Sequence, residues 1–475
     1  VSLTDVLFDG DMAPDEPAVF ADGVTTTVAE LQARADEIAS SLRDAGVEPG
    51  HVVLVSLPNS AELIATLFGV WRAGAVYVPL NPRLTDSEAA LVRADVQPAA
   101  LVTPNGIETI ADPTRYDAAT ALIQFTSGTT GRPKAVLLEH DGVLELLDGV
   151  VGKLRTTTGK RSAPMPNLVP VSLSLWAGIY QVLFAYRVGA PVVLMATFEP
   201  EAFARLVQQF GIRSTVLPPA AMTMLCDAPG VTDLSPLKYV RSITAPLSPL
   251  QARRFRGQFG ITVLNGYGQT EIGGEIVGWS GADAKEFGDA KLGSVGRPHR
   301  DVQVRAVDAD GTTLPPDEAG ELWVLTPAIS AGYAAGGDLS DRLSPDGWFR
   351  TGDIGRVDTD GFVWIEGRVS DMINRGGLKV YPEQVAEVLR LSPAVAECAV
   401  VGVADERLGE VPWAFVVADD PATPPPDDEL ESLARQHLAP YKVPVGYTLL
   451  DELPRNEVGK VLTPVLSSLV GPGDS

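Results

Sequence analysis

Residues 126–134 read T-S-G-T-T-G-R-P-K and directly follow a stretch, 121–125, that reads as a strand. Four hydroxyl side chains and two glycines make a flexible loop of donors that can wrap a polyphosphate, and Arg132 and Lys134 add positive charge. The second glycine is followed by Arg-Pro-Lys rather than by Lys-Ser or Lys-Thr, so this is not a Walker loop. A short Gly/Thr cluster by itself reads as a polar hairpin between two strands. The nine positions together point to phosphate chemistry.

A loop of this kind needs a rigid frame, and the flanking pattern supplies one. Thr27 and Glu30 form a capping box, in which hydroxyl and carboxylate satisfy free amides at a helix start. Val28, Leu31, Ala35, Ile38 and Leu42 then fall on one helical face, and Gly46 stops the helix. Residues 51–57, 75–79 and 100–103 read as buried strands, 61–73 as a helix, and Thr85 to Glu88 opens another helix. Such alternation predicts a largely parallel sheet covered on both faces. The style continues with strands at 191–195 and 214–217 and helical patterns at 180–186 and 200–210. After about residue 290 come short strands with Gly and Pro turns, such as 302–307 and 321–325, which predict a small antiparallel sheet or distorted barrel. Beyond Arg368 the pattern is compact α+β, with helices at 382–390 and 427–437 and strands at 395–403 and 413–418. Residues 419–428 are too Pro-rich to pack.

Composition narrows the function classes. The chain has 475 residues, too many for one ordinary core, with 45% hydrophobic and 21% charged residues. Lys plus Arg is 37 and Asp plus Glu is 61, a net charge of −24. Phosphate-rich partners repel such a chain, so non-specific nucleic-acid or anionic-membrane binding is not expected. An anionic substrate must be met by a few placed cations. Cys226 and Cys398 are the only cysteines; they imply neither a disulfide framework nor a metal cluster. No run of about 18 apolar residues occurs, and residues 1–11 carry acids where a signal peptide carries bases. The expected setting is cytoplasmic, with no membrane span.

The 126–134 loop resembles the phosphate-loop signature of the adenylate-forming superfamily, which includes the AMP-forming acyl- and aryl-CoA synthetases. Other signatures of that family follow in order. Residues 74–82 (G-A-V-Y-V-P-L-N-P) resemble its early structural signature, and 265–271 (N-G-Y-G-Q-T-E) its adenine-stacking segment. Gly320-Glu321-Leu322 with Gly332-Tyr333, then Thr351-Gly352-Asp353, then Gly367-Arg368, match the next three. Residues 454–460 (P-R-N-E-V-G-K) resemble the C-terminal lysine motif. The resemblance runs from about Thr26 to Leu466. It implies an α/β fold with a large N-terminal domain over residues 1–367, built of parallel-type α/β subdomains and a small distorted β-barrel. A small mobile α+β domain over 368–475 completes it.

The resemblance also assigns roles. Thr126, Ser127, Gly128, Thr129, Thr130 and Lys134 would hold ATP phosphates. Thr244, Ala245 and Pro246 would lie against adenine, although Thr244 stands where the family has Gly or Ala. Asn265, Gly266, Tyr267, Gly268 and Gln269 complete the nucleotide segment, with Tyr267 offering a flat face to the purine. Glu271 is a hard oxygen ligand suited to Mg²⁺, and Thr270 would work beside the α-phosphate. Asp353 would accept the ribose hydroxyls, Arg368 would contact the ribose, and Arg297 reads as structural. Lys460 would be the catalytic lysine of the adenylation step. Ser370 occupies the hinge position, usually Asp or Lys, and Gly376 and Gly377 would line the pantetheine tunnel.

One departure concerns the acyl pocket. The family reads Pro-Leu-aromatic-His, whereas residues 170–176 read P-V-S-L-S-L-W, so Leu173 or Ser174 stands where the His would be. Trp176, Tyr180, Pro219, Met222, Gly273 and Gly274 are the expected pocket residues, and all are uncharged. Such a pocket favours an aryl, cyclic or medium-length aliphatic acid over an amino acid, whose ammonium needs a carboxylate partner. The implied activity is an AMP-forming carboxylate–CoA ligase using ATP, Mg²⁺ and CoA. Two alternatives stay open: a free-standing adenylating enzyme that loads an acyl or peptidyl carrier protein, and a catalytically silent ligand-binding homologue. Carrier-loading acyl-AMP ligases commonly carry an insertion before Thr-Gly-Asp, and none lies between Tyr333 and Thr351.

Overall fold

Residues 2–126, 134–155, 165–243, 247, 249–288, 290–334, 337–455 and 461–470 are described in the computed structural model of the chain. Thr27 Oγ1 accepts from the Glu30 amide at 3.3 Å while the Glu30 carboxylate accepts from the Thr27 amide at 2.8 Å, and the helix Val28–Asp44 starts there. Thr85 and Glu88 do the same for Asp86–Val96. Val28, Leu31, Ala35, Ile38 and Leu42 form the buried stripe of the first of these helices, which packs on the helix Ala61–Arg72. Gly46, at φ +83°, turns the chain out of it.

The largest sheet has six strands in the order Gly106–Thr109, Ala100–Thr103, Val52–Val55, Val76–Pro79, Thr120–Thr126, Lys134–Glu139. Its four central strands are parallel and its two edge strands antiparallel. Every residue of Val52–Val55 and Val76–Pro79 is buried, as a sheet covered on both faces requires. Thr126 and Lys134 are direct partners in the edge ladder, so the ends of the hydroxyl-rich loop are fixed side by side.

A second sheet joins Val24–Thr27, Pro17–Ala21, Val192–Leu194 and Asn167–Val169. A third holds the parallel strands Ser214–Val216, Tyr239–Ser242 and Thr262–Asn265. Thr215 Oγ1 donates to the Leu168 carbonyl at 2.8 Å and ties these two sheets together. Antiparallel strands Tyr267–Gln269, Gly274–Gly278 and Arg297–Pro298 follow.

The expected barrel is an open antiparallel sheet of Gln303–Val307, Gly320–Leu325, Phe349–Val357 and Val363–Arg368. Its outer strands do not pair with each other among the described residues. Four strands are too few to close around side chains, which takes about eight.

Beyond Arg368 a C-terminal domain is built on a five-stranded sheet. Leu378–Val380, Ile373–Arg375, Gly409–Ala418 and Val395–Asp405 are neighbours in that order, and Gly446–Leu449 runs parallel to Gly409–Ala418. Helices Pro382–Leu389 and Asp427–His437 bury Val385, Ala386, Leu389, Leu430 and Ala434 in its core. No helix among the described residues is long and apolar enough to cross a membrane.

Candidate active site

An open cleft of about 2480 Å³ runs from Thr126 and Lys134, past Trp176 and Tyr180, to segments of the C-terminal domain. Two strand pairs place its polar end. Asp353 and Arg368 are opposite residues of adjacent antiparallel strands, which brings their side chains together: Arg368 Nε lies 3.1 Å from Asp353 Oδ1. Thr351 Oγ1 locks the preceding turn by donating to the Leu322 carbonyl at 2.7 Å and accepting from the Asp353 amide at 3.0 Å.

The other oxygen of Asp353 receives two donors from the strand Tyr267–Gln269 of a different sheet. Tyr267 Oη and Gln269 Nε2 each reach Oδ2 at 2.6 Å, and Gln269 Nε2 also meets the Thr351 carbonyl at 2.9 Å. Burial, with the Asp353 charge beside it, pushes the Tyr267 phenol well above its ordinary range, so it stays a neutral donor. Tyr267–Gln269 is packed close against its antiparallel partner Gly274–Gly278. A Cβ on Gly268 would sit 1.6 Å from the Gly274 carbonyl oxygen, so only glycine fits.

Glu271 lies in the single turn Thr270–Ile272 and lines the cleft with Thr270. Arg342, which no motif flagged, ties this end together. Its Nη2 donates to the Thr351 carbonyl at 2.8 Å, its Nη1 is 3.9 Å from Glu271 Oε1, and its guanidinium lies over Phe349 at 4.5 Å. It stands 73 positions from Gln269, too far for spacing to reveal. Lys134 is exposed at the start of its strand, with Nζ 5.2 Å from the Tyr333 ring centroid. Asn265 and Gly266 also line the cleft, and the Gly266 amide donates to the Ser242 carbonyl at 2.9 Å. Arg297 is structural: it binds Asp283 at 2.7 Å and covers Phe362 at 4.4 Å.

The acyl end differs from expectation in three ways. Leu173 is 2% exposed in the main core, with its amide held by Asn59 Oδ1 at 2.9 Å, and Met222 is fully buried in the helix Pro219–Asp227. Both point away from the cleft, whereas Pro219 and Thr223, one turn apart on that helix, face it. Gly273 contributes its carbonyl rather than a wall: it accepts from Trp176 Nε1 at 2.9 Å. Gly274, at φ +124°, lines the cleft, and a Cβ there would come within 2.9 Å of that same indole nitrogen. Trp176 and Tyr180 form the aromatic wall edge-to-face, ring centroids 5.7 Å apart.

The third difference is charge. Arg241 and Glu275 line the cleft as an ion pair, Nη1 to Oε1 at 2.5 Å, and His299 Nε2 lies 3.3 Å from the same oxygen. Burial by itself raises the Glu275 pKa, yet Arg241 and His299 outweigh it and hold the carboxyl at about 2. The wall is therefore not free of charge, but its charges are paired. Glu275 stood in plain view after Gly273-Gly274; its partner, 34 positions earlier, did not.

Ser370 is exposed on the cleft in the single turn Val369–Asp371. Gly376 and Gly377 lie elsewhere, at an exposed hairpin tip with φ +59° and +89°, and are not on the cleft wall. Arg455, the second residue of the lysine motif, and Val461, which directly follows it, are on it. Ser127, Gly128, Thr129, Thr130, Thr244, Ala245, Pro246 and Lys460 lie outside the described residues.

Residues 9–120 and 111–334 match the AMP-binding enzyme family, and residues 384–460 match the AMP-binding enzyme C-terminal domain. A feruloyl-CoA synthase of Amycolatopsis sp is 33% identical over 478 residues, covering 95% of both chains. The fatty acid–[acyl-carrier-protein] ligase ScoC of Streptomyces coeruleorubidus is 31% identical over 488 residues, 96% of this chain and 93% of that one. The crystal structure of ATP-bound MatB from Rhodopseudomonas palustris resembles the fold with a TM-score of 0.88 at 26% identity, covering 98% of both chains.

Proposed function

The chain belongs to the AMP-binding enzyme family, and from that premise we propose how its cleft works. It is an ATP-dependent, AMP-forming acid–thiol ligase of the acyl-CoA synthetase type. The observation that carries the site assignment is the convergence of Tyr267, Gln269 and Arg368 on the buried Asp353 carboxylate, with Glu271 on the same cleft.

In the first half-reaction a carboxylate oxygen of the acid attacks the α-phosphorus of ATP, the bond to the β-phosphate oxygen breaks, and pyrophosphate leaves. Asp353 and Arg368 orient the ribose, Tyr267 flanks the purine with Thr244, Ala245 and Pro246, and the 126–130 hydroxyls with Lys134 hold the phosphates. Lys460 and Thr270 meet the charge that develops on the α-phosphate oxygens. Glu271 suits Mg²⁺, because that ion takes one or two carboxylates and completes its shell with substrate phosphates and water. When bound there, Mg²⁺ neutralises phosphate charge.

In the second half-reaction the CoA thiol attacks the acyl carbonyl, and AMP leaves with the bonding electrons. The thiol proton passes to solvent or phosphate. We place the moving part at residues 368–475, turning about Ser370 so that Gly376 and Gly377 replace Lys460 at the adenylate. The acid is uncharged apart from its carboxylate, and aryl, cyclic or medium-chain, because the wall offers Trp176, Tyr180 and Gly274 with, among the described residues, its Arg241 and Glu275 charges paired. A cytoplasmic setting accords with Cys226 and Cys398, which are both free.

A carrier protein is the second acceptor to consider, since one relative is named for that chemistry. The deciding experiment is a panel of carboxylic acids scored by pyrophosphate release, then by thioester formation with CoA or a phosphopantetheinylated carrier. Acid-dependent pyrophosphate with acyl-CoA as product is expected. Thioester on the carrier alone would move the acceptor, and no acid-dependent pyrophosphate at all would overturn the ligase reading.

A further inference from the structure

Among the described residues, three enclosed polar atoms of cleft-lining side chains lack a hydrogen-bond partner, Gln124 Oε1, Gln181 Oε1 and the Tyr180 hydroxyl, and only the hydroxyl can donate. Tyr180 lines the cleft, yet its hydroxyl is enclosed and has no hydrogen-bond partner among the described residues. Enclosed hydroxyls are nearly always paired, so an unpaired one on a binding cavity is a seat for a ligand atom. Its neighbours cannot supply that partner. The Trp176 indole N–H is committed to the Gly273 carbonyl, and Gly274 keeps the ring close, so that edge of the wall is finished. Arg241 is committed as well, giving Nη1 to Glu275 and Nη2 to the Trp279 carbonyl at 3.1 Å.

We propose that Tyr180 is the specificity-determining residue of the acyl pocket and that the acid activated there is a ring acid bearing a neutral hydroxyl remote from its carboxylate. The inference rests on the ligase reading above and deepens it. The ring follows from the edge-to-face pair of Trp176 and Tyr180, which presents flat apolar surface. The neutral hydroxyl follows from the pairing of charges. Arg241 and Glu275 cancel, so a second carboxylate or an ammonium would lose its water and find no surplus counter-charge on this wall among the described residues. Glu275 cannot swing away to make room. A Cβ on Gly266 would lie 3.0 Å from its carboxyl carbon, and one on Gly278 would lie 2.4 Å from Oε1, so the backbone closes on it from both sides. A hydroxyl can take the Tyr180 donor and keep its own proton for an acceptor or water. A site built for such a bond discriminates strongly against the analogue lacking it, because the enclosed protein group is then left unpaired.

The test uses aryl acids of one skeleton that carry H, OH, OCH₃ or COO⁻ opposite the acid-bearing carbon. The kcat/KM for acid-dependent pyrophosphate release is measured for the wild type and for Tyr180→Phe. The wild type is expected to prefer OH to H by at least about tenfold and to reject the dicarboxylate, and Tyr180→Phe to bring the OH/H ratio to within about threefold of unity. A wild-type ratio near one would overturn the proposal, as would a ratio that Tyr180→Phe leaves intact, which would mean that water satisfies the tyrosine. Thermal unfolding of the variant is recorded alongside, and the wild-type ratio alone decides should the variant fail to fold. Acids activated without a hydroxyl preference sink this inference only; no activation of any acid sinks the ligase reading and this inference with it.

Discussion

Asp353 accepts from Tyr267 and Gln269 on one oxygen and faces Arg368 with the other, all while 4% exposed. An Asn there would keep the shape but turn an NH₂ toward one set of donors. Asp353→Asn is therefore expected to raise the KM for ATP at least about tenfold, a loss of roughly 1.4 kcal/mol in nucleotide binding. Pyrophosphate release titrated with ATP checks this, and an unchanged KM would mean that Asp353 serves only its own turn. Lys460 is assigned to the first half-reaction alone. Lys460→Ala should abolish adenylate formation from ATP and acid, yet largely spare thioester formation when acyl-AMP is supplied. Equal loss of both rates would defeat that assignment. The motifs made Asp353, Arg368, Glu271 and Lys460 readable one by one, because each motif marks chemistry that needs a particular side chain. Arg342 was not readable, since its contacts are mostly with backbone carbonyls and a distant glutamine.

At the scale of elements, the strand Gly274–Gly278 does two jobs. Its first residue admits Trp176, and its second pairs with Arg241 from the parallel strand Tyr239–Ser242. The Glu275 carboxyl titrates at about 2 in place of its ordinary 4.5, which corresponds to ~3 kcal/mol of linked stability at neutral pH. Because the folded value is the lower one, this contribution is complete above pH 4.5 and disappears as the pH falls toward 2. Glu275→Gln is expected to be a few kcal/mol less stable than wild type at pH 7, with the gap shrinking steadily below pH 4.5. Denaturant unfolding at several pH values measures the gap, and one that stayed constant with pH would show that charge is not its source. The strands themselves were legible wherever apolar runs were long, as at Val52–Val55 and Thr120–Thr126. Tyr267–Gln269 and Gly274–Gly278 are broken by glycines and polar residues rather than continuously apolar like Val52–Val55, and pairing makes them strands.

At the scale of the whole molecule, the C-terminal domain presents Arg455 of the lysine motif and Val461 just after it to the cleft and holds the Gly376–Gly377 hairpin outside it. On the proposed mechanism that arrangement belongs to the adenylation step, and the thiol step would follow rotation of this domain. Gly377→Leu tests the idea. In the present arrangement a Cβ on Gly377 meets nothing within 4 Å, although φ is +89°, so local strain is expected and a clash is not. Acid-dependent pyrophosphate release should survive while acyl-CoA formation falls at least about tenfold, or roughly 1.4 kcal/mol in barrier. Thermal unfolding measured in parallel separates strain from obstruction. A folded variant that makes acyl-CoA at the normal rate would remove the proposed thiol route past Gly377.

The sequence by itself determined the order of the motifs, the capped helices, the buried parallel strands and the type of chemistry, because each depends on local residue identity and spacing. Tertiary structure decided what faces the substrate. Leu173 and Met222 are as apolar as Trp176, and apolarity alone cannot tell a core-facing side chain from a cavity-facing one. On the helix Pro219–Asp227 the distinction is one of rotation: Met222 and Leu225 turn into the core, Pro219 and Thr223 toward the cleft. Charge was hidden for the same reason. Arg241 and Glu275 look like two unrelated surface residues until a parallel and an antiparallel strand bring them to one wall, where pairing cancels them and, among the described residues, leaves the Tyr180 hydroxyl as an enclosed donor without a partner. Partnership across distant strands is a property of the packed fold, and no local pattern encodes it.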